Sequence, residues 1–119
     1  MALHNEFGRK AELLAVEFLI KKGYDILGKN YKYNKAEIDI IAQKSNTLIV
    51  VEVKARSSDY FGNPQDFVSA KKIKLLRLVT NEYMEEKELN LEVRFDIIAV
   101  LFKNKKYLIT HIKDAFLHF

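Results

Sequence analysis

The residues best suited to chemistry lie in two short segments of the first half of the chain. Glu37 and Asp39 are spaced by two, as are Glu52, Lys54 and Arg56, and in an extended strand residues two apart share a face. If these segments pair as neighbouring strands, two or three carboxylates and an ammonium converge on one patch. Clustered carboxylates repel one another, and proteins accept that cost where a cation is to be bound. A hard divalent ion such as Mg2+ takes oxygen ligands, typically one or two carboxylates completed by water and phosphate oxygens. Asp39 and Glu52 can supply such ligands, and Lys54 can orient an attacking water or stabilise charge developing on phosphorus. The competing reading is a solvated hairpin face whose opposite charges form weak cross-strand pairs. Placement favours the first: Glu52 interrupts Leu48-Ile49-Val50-Val51-Glu52-Val53, a near-continuous apolar run typical of a sheet centre, where an unpaired carboxylate is expensive.

Composition narrows the alternatives. The absence of cysteine excludes a disulfide framework and a thiolate zinc site, and the scattered histidines His4, His111 and His118 have no acidic or thiol neighbour at a useful spacing. No chemistry is assigned to them, so any metal is expected to be held by oxygen. The chain has 20 Lys+Arg against 16 Asp+Glu, a net charge of +4. That is compatible with a nucleic-acid partner and also within the range useful for solubility alone. One basic cluster comprises Lys71, Lys72, Lys74 and Arg77; a second, Lys103, Lys105 and Lys106, reads as a solvated turn.

With 119 residues, 49% hydrophobic and 30% charged, the chain can bury about two-thirds of its surface, and a single domain over residues 1–119 is expected. Residues 1–12 hold no continuous apolar stretch, and the longest apolar run, Ile97 to Phe102, is far short of a membrane span. A reducing, cytoplasmic setting and no membrane partner are therefore the expectation.

The elements that must position the acidic and basic residues follow from periodicity. Phe7, Ala11, Leu14, Ala15 and Phe18 form one helical stripe closed by Gly23, predicting a helix over Asn5–Lys22. Tyr24–Lys32, Ala36–Ala42 and Thr47–Arg56 are rich in Ile, Val and Tyr and read as three strands of a meander. After Gly62-Asn63-Pro64, helical spacing through Val68, Leu75, Leu76, Val79 and Tyr83 predicts a long helix over Gln65–Lys87. Leu91–Phe102 and Tyr107–His111 read as two further strands, and Asp114–Leu117 as a short C-terminal helical turn. The order αβββαββ predicts an α/β fold in which helices flank a mixed sheet.

In this order the motifs resemble a known family. Glu37-Ile38-Asp39-Ile40-Ile41-Ala42, then Val50-Val51-Glu52-Val53-Lys54-Ala55-Arg56, then Phe61-Gly62-Asn63-Pro64 resemble the YraN-type family of predicted endonucleases. That family is related to archaeal Holliday-junction resolvases within the PD-(D/E)xK, or restriction-endonuclease-like, superfamily. The resemblance extends to Gly8 with Ala11-Glu12, Asn30, Val68 with Lys72, Arg94-Phe95-Asp96 and Lys113-Asp114-Ala115-Phe116. Ala36 stands where the family usually has glycine, and Ile38 where the superfamily name has proline.

The resemblance implies a restriction-endonuclease-like fold and an Mg2+- or Mn2+-dependent endodeoxyribonuclease of repair or recombination. Its partner would be DNA, branched or flapped forms included, and a homodimer is compatible with it. Asp39 and Glu52 then resemble metal ligands, with the Val53 carbonyl as a third oxygen, and Lys54 the catalytic lysine. Glu12 resembles a helix-borne carboxylate joining the site, with a surface pair to Arg9 as its alternative. Glu37 is an accessory ligand or a surface ion pair. Arg56 would meet a phosphate or end a solvated strand, and Lys71, Lys72 and Lys74 would contact the nucleic acid. At about 100° per residue Lys72 falls on the apolar stripe of its helix, where a lysine either snorkels or points at something anionic; the family pattern favours the carboxylate patch or a substrate phosphate.

The remaining polar and aromatic residues read as structural. Asp96 is expected to pair with Arg94 on its own strand face, and Tyr24, Tyr31, Tyr33 and Tyr60 to serve the core or sheet surface rather than stack bases. Two alternatives to catalysis remain: a binding module that keeps fold and basic surface without cutting, and a partner in a DNA-processing complex recruited through Leu13 and Ile20.

Overall fold

The first helix forms as α1 (Ala2–Lys21) in a computed structural model that describes residues 2–57 and 68–116, with side chains from Glu6 onward. Ala11, Ala15 and Leu19 are fully buried, because a spacing of four keeps them on one stripe; the two alanines let the helix approach the sheet closely. At its end Gly23 N–H donates to the Ile20 carbonyl and Tyr24 N–H to the Leu19 carbonyl, each at 3.0 Å. Gly23 has φ 89°, the left-handed stop that glycine adopts without steric cost.

The meander follows as β1 (Asp25–Tyr33), β2 (Ala36–Lys44) and β3 (Thr47–Arg56), antiparallel throughout. Helix α2 (Ala70–Glu86) crosses the sheet, so that β4 (Glu92–Lys103) runs parallel to β3. Strand β5 (Lys106–Ile112) returns antiparallel through Asn104 and Lys105, both at positive φ, as a two-residue hairpin turn requires. The sheet order β1-β2-β3-β4-β5, with α1 on one face and α2 on the other, is the expected mixed α/β architecture. Residues 113–116 form a turn after β5, where a short helical turn over Asp114–Leu117 is expected; Leu117 lies outside the described residues.

Helix α2 begins later than its periodicity suggests. Val68 and Ser69 precede it, and Ser69 Oγ caps it by accepting from Lys72 N–H at 3.1 Å. Val68 shares a buried cluster with Ile73; its apolar character belongs to a staple at the helix entrance, not to the helical repeat. Gln65, Tyr60, Phe61-Gly62-Asn63-Pro64, Leu117 and His118 lie outside the described residues, as does the side chain of His4.

Two buried clusters hold the layers together. On the α1 side Ala11, Ala15 and Leu19 pack on Ile40, Ala42, Ile49, Val51, Ile98 and Val100. On the α2 side Ile73, Leu76, Val79 and Tyr83 pack on Ile38, Ile41, Leu48, Val50 and Ile97. Strand β3 alternates between the clusters, which turns Glu52 toward α2 with Leu48 and Val50. Strand β2 does not: Ile38 faces α2 whereas Ile40 faces α1, although residues two apart in a regular strand share a face. The slip centres on Asp39. Across from it, between the pairs Lys29↔Ile40 and Tyr31↔Ile38, Asn30 adopts φ 52°, a left-handed conformation that asparagine tolerates better than most residues. Among the described residues, no helix is long and apolar enough to cross a membrane.

Candidate active site

The β2–β3 ladder ends at the pair Ile40↔Val51. One step further, the same register sets Asp39 opposite Glu52, where the slip in β2 frees the aspartate from strand alternation. Its Oδ2 accepts a hydrogen bond from the Val53 N–H at 2.8 Å. Glu52 is only 4% exposed. Lys72 from α2 forms an ion pair with Glu52 Oε2, and Lys54 Nζ lies 3.8 Å from the same oxygen. Apart from these two ammonium groups, Oε2 has no hydrogen-bond partner.

The electrostatics follow from this crowding. Burial, and then the charge of Glu52, push the Asp39 carboxyl up to about 8. The Val53 N–H opposes the rise, and Glu12 on α1 contributes a smaller repulsion. Burial draws the Lys54 ammonium below its ordinary value, helped by the positive charges of Lys72 and Arg56 and opposed by Glu52 and Asp39.

Asp39, Glu52 and Lys72 line an open cavity of about 440 Å³, together with Glu37, Lys71, Lys35 and Ser69. Glu37 also pairs with Lys32 at 3.9 Å, a solvated contact of little energetic weight. Val53 meets Asp39 through its N–H; Arg56 Nη1 donates to the Ala55 carbonyl at 2.8 Å. Lys74 is exposed on α2 and is not among the lining residues. Sequence reasoning passed over Lys35 and Ser69. The first sits at the β1–β2 turn two residues before Glu37; the second is a recognisable N-cap once the helix start is placed correctly. Among the described residues, no three acidic, imidazole or thiolate side chains form a ready-made metal cage.

A second polar cluster lies on the α1 side. Asp96 forms the expected pair with Arg94, through two hydrogen bonds of 2.9 Å. It also meets His111 at 2.7 Å and the Asp114 N–H at 2.9 Å, while Arg94 donates to the Tyr24 hydroxyl at 2.9 Å. His111 thus has the acidic neighbour that linear spacing hides. Tyr31 stacks edge-on against Tyr83, with ring centres 5.1 Å apart, and Tyr33 stands exposed at the end of β1.

Fold and site together define an α/β domain with paired carboxylates and lysines gathered between the central sheet and α2. Residues 11–100 match the family described as Uncharacterised protein family UPF0102, and the chain belongs to that family. It is 58% identical to a UPF0102 protein of Flavobacterium psychrophilum over 119 residues, the whole of both chains. It is 57% identical to one of Christiangramia forsetii, again over both full lengths. A UPF0102 protein of Phocaeicola vulgatus is 45% identical over 116 residues, 98% of this chain and 96% of the relative. The YraN-type resemblance therefore holds at the level of family membership.

Proposed function

We propose that this protein is a metal-dependent endonuclease that hydrolyses DNA phosphodiester bonds, acting on branched or flapped DNA in repair or recombination. The observation that carries the reading is the opposition of Asp39 and Glu52 beside Lys72 in an open cavity, with Lys54 Nζ 3.8 Å from the Glu52 carboxylate. A solvated hairpin face gives no reason to bury Glu52.

The donor set fits a hard cation. The groups are oxygens, and Glu52 Oε2 is a buried acceptor whose partners are ammonium groups alone. Asp39, Glu52 and the Val53 carbonyl would hold Mg2+ or Mn2+, with water and phosphate oxygens completing the shell, as such ions prefer. When bound, the ion supplies charge stabilisation at the phosphate and a more acidic water. Lys54, in its partly desolvated position, orients the nucleophile or meets charge developing on phosphorus. Lys71 and Lys72, on the cavity wall, place the phosphate, and Arg56 steadies the backbone beyond it.

Incubating the purified protein with single-stranded, duplex, flapped and four-way DNA, with and without Mn2+, tests the reading. Cutting of at least one substrate should require metal. Asp39→Ala and Glu52→Ala should abolish it, and Lys54→Ala should lower the rate by about 10²–10³ while leaving DNA binding mostly intact. Equal residual cutting by all three variants would trace the activity to a contaminant. Tight binding without cutting across the panel would make the protein a binding module.

A further inference from the structure

Lys72 stands where the local rules of a helix would not put it. Ser69 is the N-cap of α2 and Lys72 is the third helical residue, its N–H held by Ser69 Oγ. At that position a capping box carries Glu or Gln, and the positive end of the helix dipole disfavours an ammonium. The first turn of α2 contains no acidic residue. A local rule broken at one point indicates a compensating interaction or a function, and the compensation here is Glu52.

We propose that Lys72 is the site's resident cation: in the metal-free chain its ammonium occupies the position on Glu52 that a divalent ion takes, and it withdraws when that ion binds. The inference rests on the metal-site reading above. Glu52 is 4% exposed, so its carboxylate needs a positive partner whenever no metal is present. Two lysines approach the same oxygen, but they are not equivalent. The Lys54 side chain is 16% exposed and that of Lys72 is 43% exposed. Lys72 alone has ready access to solvent, so it can leave without stranding a charge in the interior. An ammonium and a dication on the same oxygen repel each other strongly, which favours withdrawal of the one that can reach solvent. The freed lysine remains on the cavity wall beside Lys71, within reach of an incoming phosphate, so that entry of the metal and capture of the anion become linked steps.

Calorimetric titration of MnCl2 in the absence of DNA tests the exchange in wild type, Lys72→Met and Lys71→Met, alongside thermal melts of the metal-free proteins. Lys72→Met should bind Mn2+ about tenfold more tightly than wild type and melt lower without metal, since the competitor and the counter-ion are the same group. Lys71→Met removes the same charge from the same cavity without touching Glu52, and should change affinity less than about threefold. Lys72→Gln serves as a second variant if circular dichroism shows that Lys72→Met does not fold. Equal or weaker Mn2+ binding by the Lys72 variants overturns the proposal and leaves the metal site standing. An equal gain in Lys71→Met overturns it in favour of general electrostatics. No Mn2+ binding by wild type or any variant removes the metal-site reading, and the proposal with it.

Discussion

Asp39 shows at the scale of one residue what the site costs the fold. Its carboxyl is raised to about 8 by burial and by Glu52, against about 4 in an unfolded chain. The folded state therefore holds this proton more tightly than the unfolded one. The associated stability is fully present below about pH 4 and is lost as pH rises through the folded value. Thermal melts of the metal-free protein should show the melting temperature falling across that window. Asp39→Asn should flatten the fall and melt no lower than wild type near the upper end. Mn2+ at a hundredfold above its dissociation constant should add about 2.7 kcal/mol to wild type and little to Asp39→Asn. A wild-type melt unmoved by millimolar Mn2+, together with a less stable Asp39→Asn, would mean that these carboxylates are structural and would withdraw the nuclease proposal.

At the scale of elements, two local devices aim the charged groups. The cap on α2 is one: Ser69→Ala should cost about 1 kcal/mol in urea unfolding. The left-handed Asn30 opposite Asp39 is the other. Asn30→Val should cost about 1–2 kcal/mol, whereas Asn30→Gly should cost distinctly less; equal losses would mean that backbone conformation is not what Asn30 supplies. These devices also mark how far the sequence alone could be read. The alternation that puts Glu52, Lys54 and Arg56 on one face of β3 was legible, because β3 is regular along its length. The wheel position of Lys72 was legible for the same reason. The slip in β2 was not, since Ile38 and Ile40 are both apolar and fit either buried face. Nor was the true start of α2, because Val68 satisfies an apolar repeat while packing on Ile73 from outside the helix. The contact of His111 with Asp96 depends on the β4–β5 register, which the two-residue turn at Asn104 and Lys105 sets and which linear spacing does not display.

Across the whole molecule, Asp96 ties elements that are distant in sequence. The carboxylate is fully buried and takes hydrogen bonds from Arg94 and the Asp114 N–H, with His111 against it. Burial alone would raise this carboxyl, but those partners outweigh it and hold it below its ordinary value. Its contribution to stability is therefore present above about pH 4 and disappears as pH falls through the lowered value. Asp96→Ala, which strands the Arg94 guanidinium, should cost about 3–5 kcal/mol in urea unfolding at neutral pH; a loss below about 1 kcal/mol would show that the network is dispensable. The same knot bears on how the chain is made. A ribosome delivers α1 and the β1–β3 meander first, and their contacts are largely between neighbours in sequence, so they can assemble as they emerge. Asp96 must wait for the backbone of Asp114, 18 residues later, and until the two meet it is an acid with only part of its final company. The knot therefore closes after the local contacts have formed, and a chain in which Asp114 has not yet docked offers β4 to chaperones and proteases with its last fastening missing.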